Sequence, residues 1–297
     1  MVLLRSLLFV PGNRSDMLEK SQGLTVDAIV PDMEDSVPMS EKFHARELVS
    51  QSLPALVRDN RFVIPRTNAL GTGLLEDDLA AVVTPFIFGV TVGKIDSLWH
   101  VRQVESIIAK LELRAGIPVG QIRLIPWIET AQGIMNVKEI CGGSSRIVAV
   151  AFGGEDFTAD MSIQRTDIGA EILYPRSLVA IAAKSFGIGS LDTPYVSFRD
   201  QEGLRNDALL ARSLGFTGKF AIHPNQLETI DSVFSPDPKE VDYAKKIVQT
   251  FEKAETEGKG ATSLDGKMID IPVVHRARNL LAQVDAIEKS KGDPKHS

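Results

Sequence analysis

A closed α/β barrel of eight parallel strands, the TIM (β/α)8 architecture, is the fold class this sequence predicts, on three observations. Short apolar runs alternate with longer charged segments of helical character. The runs are rich in Val and Ile and do not alternate in polarity, the pattern of strands buried on both faces. Roughly eight such units follow one another over ~225 residues, which suits a closed barrel better than an open sheet. No glycine-rich dinucleotide fingerprint follows any strand, which weakens a doubly wound alternative.

Leu3–Val10 reads as the first strand. Arg5 interrupts its apolar run, Pro11-Gly12 ends it, and no small-residue cleavage site follows, so it is read as a buried strand and not a leader. A helix around Ser15–Gly23 follows, then strand Asp27–Asp32 and helix Glu41–Ser52. Strand Phe62–Arg66, a short helix near Glu76–Val82, strand Gly89–Lys94 and amphipathic helix Val101–Ala115 come next. Ile122–Ile128 precedes a helix from Ala131, and Arg146–Phe152 precedes helix Pro175–Phe186. A short strand at Tyr195–Val196, helix Glu202–Leu214, strand Lys219–Ile222 and a helix after Pro224 complete the barrel, residues 1–235. A C-terminal extension, residues 236–290, carries helix Lys239–Glu255, a polar loop Glu257–Ala261 and a final helix Val273–Glu288. The charged tail 291–297 reads as disordered, and no internal repeat is visible.

Composition agrees with an ordinary globular chain: 297 residues, 43% hydrophobic and 24% charged. A net charge of −6, from 33 basic and 39 acidic residues, gives no reason to expect non-specific nucleic-acid binding. One cysteine, Cys141, excludes an internal disulfide and a cysteine-based zinc site, and points to a reducing, cytoplasmic home. No stretch approaches the ~20 apolar residues of a membrane helix.

A barrel places its chemistry at the C-terminal ends of its strands. There the apolar runs stop at Glu34 and Asp35, Arg66 and Asn68, Lys94, Glu129, Glu155 and Asp156, and His223-Pro224-Asn225. Scattered solvated charges would not keep falling at that one position. Glu129 and Asp156 close consecutive strands and can converge on one point. Two oxygen ligands without His or Cys suit a hard cation such as Mg2+, with Mn2+ as a substitute. The bland alternative makes them helix N-caps or solvated loop residues. Arg66 suits a carboxylate, or an oxygen on which enolate charge grows. Alternatively it pairs with Glu34 or Asp35 and stiffens the barrel mouth, and the two roles are compatible. Lys94 is read as an electrostatic neighbour in preference to a Schiff-base lysine. Gly153-Gly154 allows close backbone approach to a ligand, with Glu155 beside it, although Gly-Gly alone is commonly a turn. His223 is read as structural, Cys141 as a small packed side chain, and the other histidines carry no role.

These residues resemble the citrate lyase β-subunit-like family, which includes malyl-CoA, citramalyl-CoA and citryl-thioester lyases. The resemblance is carried by Val10-Pro11-Gly12-Asn13, Asp32-Met33-Glu34-Asp35-Ser36-Val37, Arg66-Thr67-Asn68, Ile128-Glu129-Thr130-Ala131 and Gly153-Gly154-Glu155-Asp156-Phe157. Phe216–Lys219, Ile222–Gln226 and a segment from Gly258 through Asp270 continue it. One departure stands at the fourth strand, Val92-Gly93-Lys94, where many relatives have Pro before the lysine. The resemblance implies Mg2+ on Glu129 and Asp156, and Arg66 on the reacting oxygens. It further implies a homotrimer or hexamer in which the C-terminal segment covers a neighbour's barrel, bringing Asp270 in as acid/base. Without it, Asp270 reads as a helix N-cap. Arg14 and Lys20 flank the first βα loop, as candidates for CoA phosphates or as solvated surface.

The implied reaction is retro-Claisen cleavage of a malyl-, citramalyl-, methylmalyl- or citryl-CoA to acetyl-CoA and a 2-oxo acid, or its reverse. Its rivals are a malyl-CoA thioesterase, a free 2-oxo-acid aldolase, and a catalytically silent binding subunit of a larger lyase complex.

Overall fold

A computed structural model describes residues 2–58, 61–166, 168–256, 258 and 260–292. Of the expected tail 291–297, residues 291 and 292 continue the last helix and the other five lie outside the described residues, as do Glu257 and Lys259 of the polar loop. Eight strand positions close on themselves: β1 (Ser6–Pro11) pairs in parallel with both β2 (Ala28–Asp32) and β9 (Gly218–Ala221). The third position is shared by β3 (Phe62–Val63) and β4 (Arg66–Thr67), because Pro65 between them has no N–H to give the ladder. β5 (Gly89–Val92), β6 (Arg123–Ile128), β7 (Ala149–Phe152) and β8 (Gly189–Asp192) complete the round, each parallel to its neighbours.

The helices are α1 (Ser15–Ser21), α2 (Lys42–Leu56), α3 (Leu75–Val82), α4 (Leu98–Ala115), α5 (Ala131–Met135), α6 (Val137–Cys141), α7 (Gly154–Asp160), α8 (Ala170–Ser185), α9 (Gln201–Leu214) and α10 (Leu227–Phe234). Alternate strand residues feed two cores. Leu7, Ala28, Val30, Ile64, Ile125 and Trp127 belong to one cluster, completed by Ala149, Ala151, Leu191 and Phe220. Leu8, Ile29, Val63, Val90, Leu124 and Val150 pack with the helices. This two-sided burial is why the strands read as unbroken apolar runs. Trp127 and Phe220 have centroids 4.5 Å apart, and Phe9 stacks on Phe220 at 5.0 Å. The Trp127 indole N–H donates to Thr91 Oγ1 at 2.7 Å, so that buried polar group is satisfied.

One expectation fails and one element was not foreseen. Tyr195–Val196 is not a strand; that position is taken by Gly189–Asp192, where Leu191 is the only large apolar residue and Ser190 and Asp192 hide the periodicity. The described residues of the expected loop, 258, 260 and 261, lie in no helix or strand, but the residues after it form an unexpected element. Thr262–Leu264 (β10) and Lys267–Ile269 (β11) form an antiparallel hairpin around Asp265-Gly266, both at positive φ. With α11 (Pro238–Thr256) and α12 (Ile271–Gly292), it builds a separate small core of Ala244, Ile247, Phe251, Ile269, Val274 and Ala277.

Candidate functional site

Strand ends at one rim of the barrel bring the acidic and basic groups together. Arg66, opened toward the rim by β4, lies in register with Asp32 on β2. Its guanidinium forks onto Asp32 with both bonds at 2.7 Å. It also approaches Asp35 at 3.0 Å and Glu34 at 3.3 Å, and stands 4.4 Å over the Phe9 ring. Burial works against the Arg66 charge, but the carboxylates of Asp32, Glu34 and Asp35 outweigh it and raise the pKa. Arg66 is therefore a permanent, oriented cation. Asp32, which sequence reasoning passed over as the end of a strand, is the chief partner. A carboxylate closing a wholly buried strand requires a cation, and that requirement was the available signal. Asp32 also accepts from the Glu34 and Ser36 backbone N–H groups, and Arg66 holds its pKa down despite burial.

Glu129 and Asp156 share one electrostatic environment, and Lys94 joins them. The Lys94 backbone N–H donates to Glu129 Oε1 at 2.7 Å, while its ammonium lies 3.2 Å from Asp156 Oδ1 and 3.9 Å from Glu34 Oε1. To do so Lys94 adopts a positive φ of 53°, uncommon for a residue with a Cβ. Burial, reinforced by Asp156 and Glu34, lifts the Glu129 carboxyl to about 8. Burial likewise lifts Glu34 to about 7, against the pull of Arg66. The Lys94 ammonium loses hydration, yet Asp156, Glu34 and Glu129 raise its pKa. A lysine held protonated is a poor Schiff-base nucleophile, which favours the electrostatic role.

Glycine makes the crowding possible. A Cβ on Gly93 would lie 2.8 Å from Glu34 Oε1 and 2.9 Å from Glu129 Oε1. A Cβ on Gly153 would run into the Glu129 carboxylate and stand 2.7 Å from its Cβ. Among the described residues, no group of three His, Cys, Asp or Glu forms a ready metal cage. The rim instead offers carboxylates of Glu129 and Asp156 whose mutual repulsion a divalent cation would relieve. Oxygen donors that leave coordination positions for water or substrate fit Mg2+.

Of the other candidates, Glu155 is half-exposed and its Oε1 is 3.5 Å from Arg165. Arg14 and Lys20 both pair with Asp16 on the surface of α1. His223 caps the turn Pro224–Gln226, accepting from the Asn225 N–H, and stacks on Phe198. Cys141 is buried, and burial pushes its thiol up to about 12. Asp270 accepts from the Val273 N–H at 3.2 Å at the start of α12. Among the described residues no hydrogen bond or ion pair links it to Arg66, Glu129 or Asp156. Beside Lys94 a cavity of about 800 Å3 opens between residues 69–77 and the start of α4, flanked by Trp99 and His100. Its volume is that of a small-molecule site.

The parallel barrel at whose rim these charged groups gather is a fold its relatives share, and several of those relatives are named lyases. Residues 5–224 match the HpcH/HpaI aldolase/citrate lyase family, and the chain belongs to that family. It is 34% identical over 293 residues to the citrate lyase subunit beta of Leuconostoc mesenteroides subsp. cremoris, covering 98% of this chain and 97% of that protein. It is 32% identical over 295 residues to the mitochondrial citramalyl-CoA lyase of Mus musculus, covering 96% and 87%. Among solved structures, the CitE protein of Mycobacterium tuberculosis in complex with magnesium, acetoacetate and coenzyme A superposes with a TM-score of 0.78. That match is 25% identical and covers 95% of this chain and 98% of that one.

Proposed function

We propose that this chain is a Mg2+-dependent carbon–carbon lyase acting on a 3-hydroxyacyl-CoA that carries a carboxylate on its hydroxyl-bearing carbon. Malyl-CoA and citramalyl-CoA are the leading substrates, with acetyl-CoA and a 2-oxo acid as products. The observation that carries this reading is the Glu129–Lys94–Asp156 arrangement standing beside a fixed Arg66. Glu129 and Asp156 would hold the Mg2+, which would supply Lewis acidity to the oxygens of the substrate's hydroxy-acid end.

The protein's own groups do the rest. Arg66, oriented by Asp32 and Asp35, offers its positive charge to the thioester oxygen as the acetyl-CoA enolate departs. Because Asp32 already holds the fork, little reorganisation is needed when charge develops. Lys94 keeps Asp156 and Glu129 oriented and adds positive potential for an anionic substrate. The backbone at Gly153-Gly154, with Glu155 next to it, lets the substrate's carboxylate end approach closely. Arg14 and Lys20 are exposed after β1, where they suit the CoA phosphates. Residues 236–290 act as a lid on the neighbouring barrel of a homotrimer or hexamer, and Asp270 thereby exchanges the methyl proton of acetyl-CoA in an adjacent site. A sole, buried, unreactive cysteine supports a cytoplasmic setting.

The test is turnover of malyl-, citramalyl-, methylmalyl- and citryl-CoA by the purified chain, with and without Mg2+, with acetyl-CoA and free CoA measured separately. Acetyl-CoA release that requires Mg2+ and is lost in D156A supports the lyase. Release of free CoA with the intact hydroxy acid assigns a thioesterase. Cleavage of a free 2-oxo acid adduct without CoA assigns an aldolase, and no turnover by the isolated chain assigns a binding subunit.

A further inference from the structure

Helix α7 carries Asp156 in its first turn, and its start is fixed from outside the helix. Its N-cap, Gly153, has no side chain to offer, and no side-chain cap is present. The Gly154 N–H donates instead to Thr193 Oγ1 at 3.1 Å, reaching across to the residue that follows β8. Gly153 meanwhile backs onto Glu129 with no room for a Cβ. Neighbouring residues are thus pressed against β6 on one side and tied to the end of β8 on the other. The first turn of α7 is clamped between them.

Thr193 is itself held. It is 3% exposed, and its carbonyl accepts from Lys219 Nζ at 2.7 Å. Lys219, on β9, also donates to Asp192 and Asp207. Arg176, on α8, forks onto Asp192 at 3.0 and 2.8 Å and reaches Asp207 at 3.1 Å. Arg176, Asp192 and Lys219 are each 1% exposed or less. A balanced buried cluster of this kind commonly adds little net stability over apolar packing, and its best-attested use is to fix a geometry. Here the geometry it fixes is the end of β8.

We infer that Thr193 is a positioning residue for the metal-binding aspartate. Its hydroxyl, on a residue whose carbonyl is held by Lys219 of the Arg176–Asp192–Lys219–Asp207 cluster, sets where α7 begins and so where Asp156 stands relative to Glu129. This rests on the assignment of Glu129 and Asp156 as the metal ligands. Outer partners of this kind typically tune metal affinity without touching the ion.

The experiment titrates the purified full chain with MgCl2 by calorimetry, comparing wild type, T193V, T193S, D207N and D156A, with melting in EDTA as the folding control. T193V leaves the Gly154 N–H without its acceptor, so it is expected to fold but melt a few degrees lower, and to bind Mg2+ roughly tenfold more weakly. T193S, which restores the hydroxyl, is expected to recover wild-type affinity. If T193V does not fold, D207N carries the test: it loosens Lys219 and so the Thr193 carbonyl that places the hydroxyl, without removing the hydroxyl itself, and should weaken Mg2+ binding roughly tenfold. Wild-type affinity in T193V, or in D207N where T193V does not fold, together with loss of binding in D156A, overturns the brace and leaves the metal pair standing. Wild-type affinity in D156A overturns the metal pair, and the brace with it.

Discussion

Gly153 stands where a single methyl group has no room, and its φ of −106° is open to any residue, so alanine there is a purely steric probe. G153A is expected to displace Glu129 as a whole, since the Glu129 Cβ cannot swing away, lowering Mg2+ affinity by roughly tenfold or more and lowering the melting temperature of a still-folded barrel. Calorimetric Mg2+ titration beside a thermal melt checks both halves. Glu129 gives a second prediction. Its carboxyl titrates near 8 in the metal-free fold against an ordinary 4.5, so between about pH 5 and 8 the native state holds a proton that the unfolded chain has released. Stability is therefore present below that window and lost as pH rises through it. In EDTA the melting temperature should fall from pH 5 to pH 8, E129Q should flatten much of that slope, and Mg2+ added at pH 8 should restore stability. A slope unchanged in E129Q would remove Glu129 as its source. At this scale the sequence was legible wherever an apolar run halts at a charge, as at Arg66, Lys94, Glu129 and Asp156. It was opaque at Asp32 and Asp192, which close their strands as the last paired residues and declare their partners only once a cation, Arg66 or Lys219, is seen in register beside them.

At the scale of elements, closure of the barrel depends on β9 lying tight against the start of β1. A Cβ on Gly218 would collide with the Leu4 carbonyl oxygen and stand 2.9 Å from that of Arg5. Both are backbone atoms that cannot swing away. The Lys219 N–H donates to Arg5 O at 2.9 Å in the same stretch. G218A is therefore expected to part β9 from β1 and cost ~2–4 kcal/mol, read as a lowered urea midpoint with an unchanged m-value. Wild-type stability in G218A would show that the two strands close with slack. Most elements were readable because the barrel buries both faces of its strands, so hydrophobic runs mark them directly. β8 escaped because its buried Asp192 is neutralised by Arg176 on α8 and Lys219 on β9, partners that no local pattern reveals. The β10–β11 hairpin escaped because its strands are only three residues long and largely exposed.

The whole molecule poses the question of where Asp270 works. Within one chain it caps α12, which is the role its local sequence predicts, and it makes no bond to the rim. Met268 is 70% exposed and Ile271 58%, so the segment around Asp270 presents apolar surface beyond what the small C-terminal core consumes. No property of this sequence alone could reveal an acid/base acting in another chain; only the family resemblance pointed there. A head-to-tail ring, in which each chain lends one residue to the next, makes a countable prediction. D156A and D270N chains are each expected to be nearly inactive alone. Reassembled together from a one-to-one mixture after mild denaturation, they should recover roughly a quarter of wild-type activity, because a working site needs Asp156 from one parent and Asp270 from the other across a single interface. If Asp270 served its own chain, every site in the mixture would lack one of the two groups, and the mixture would stay as inactive as its components.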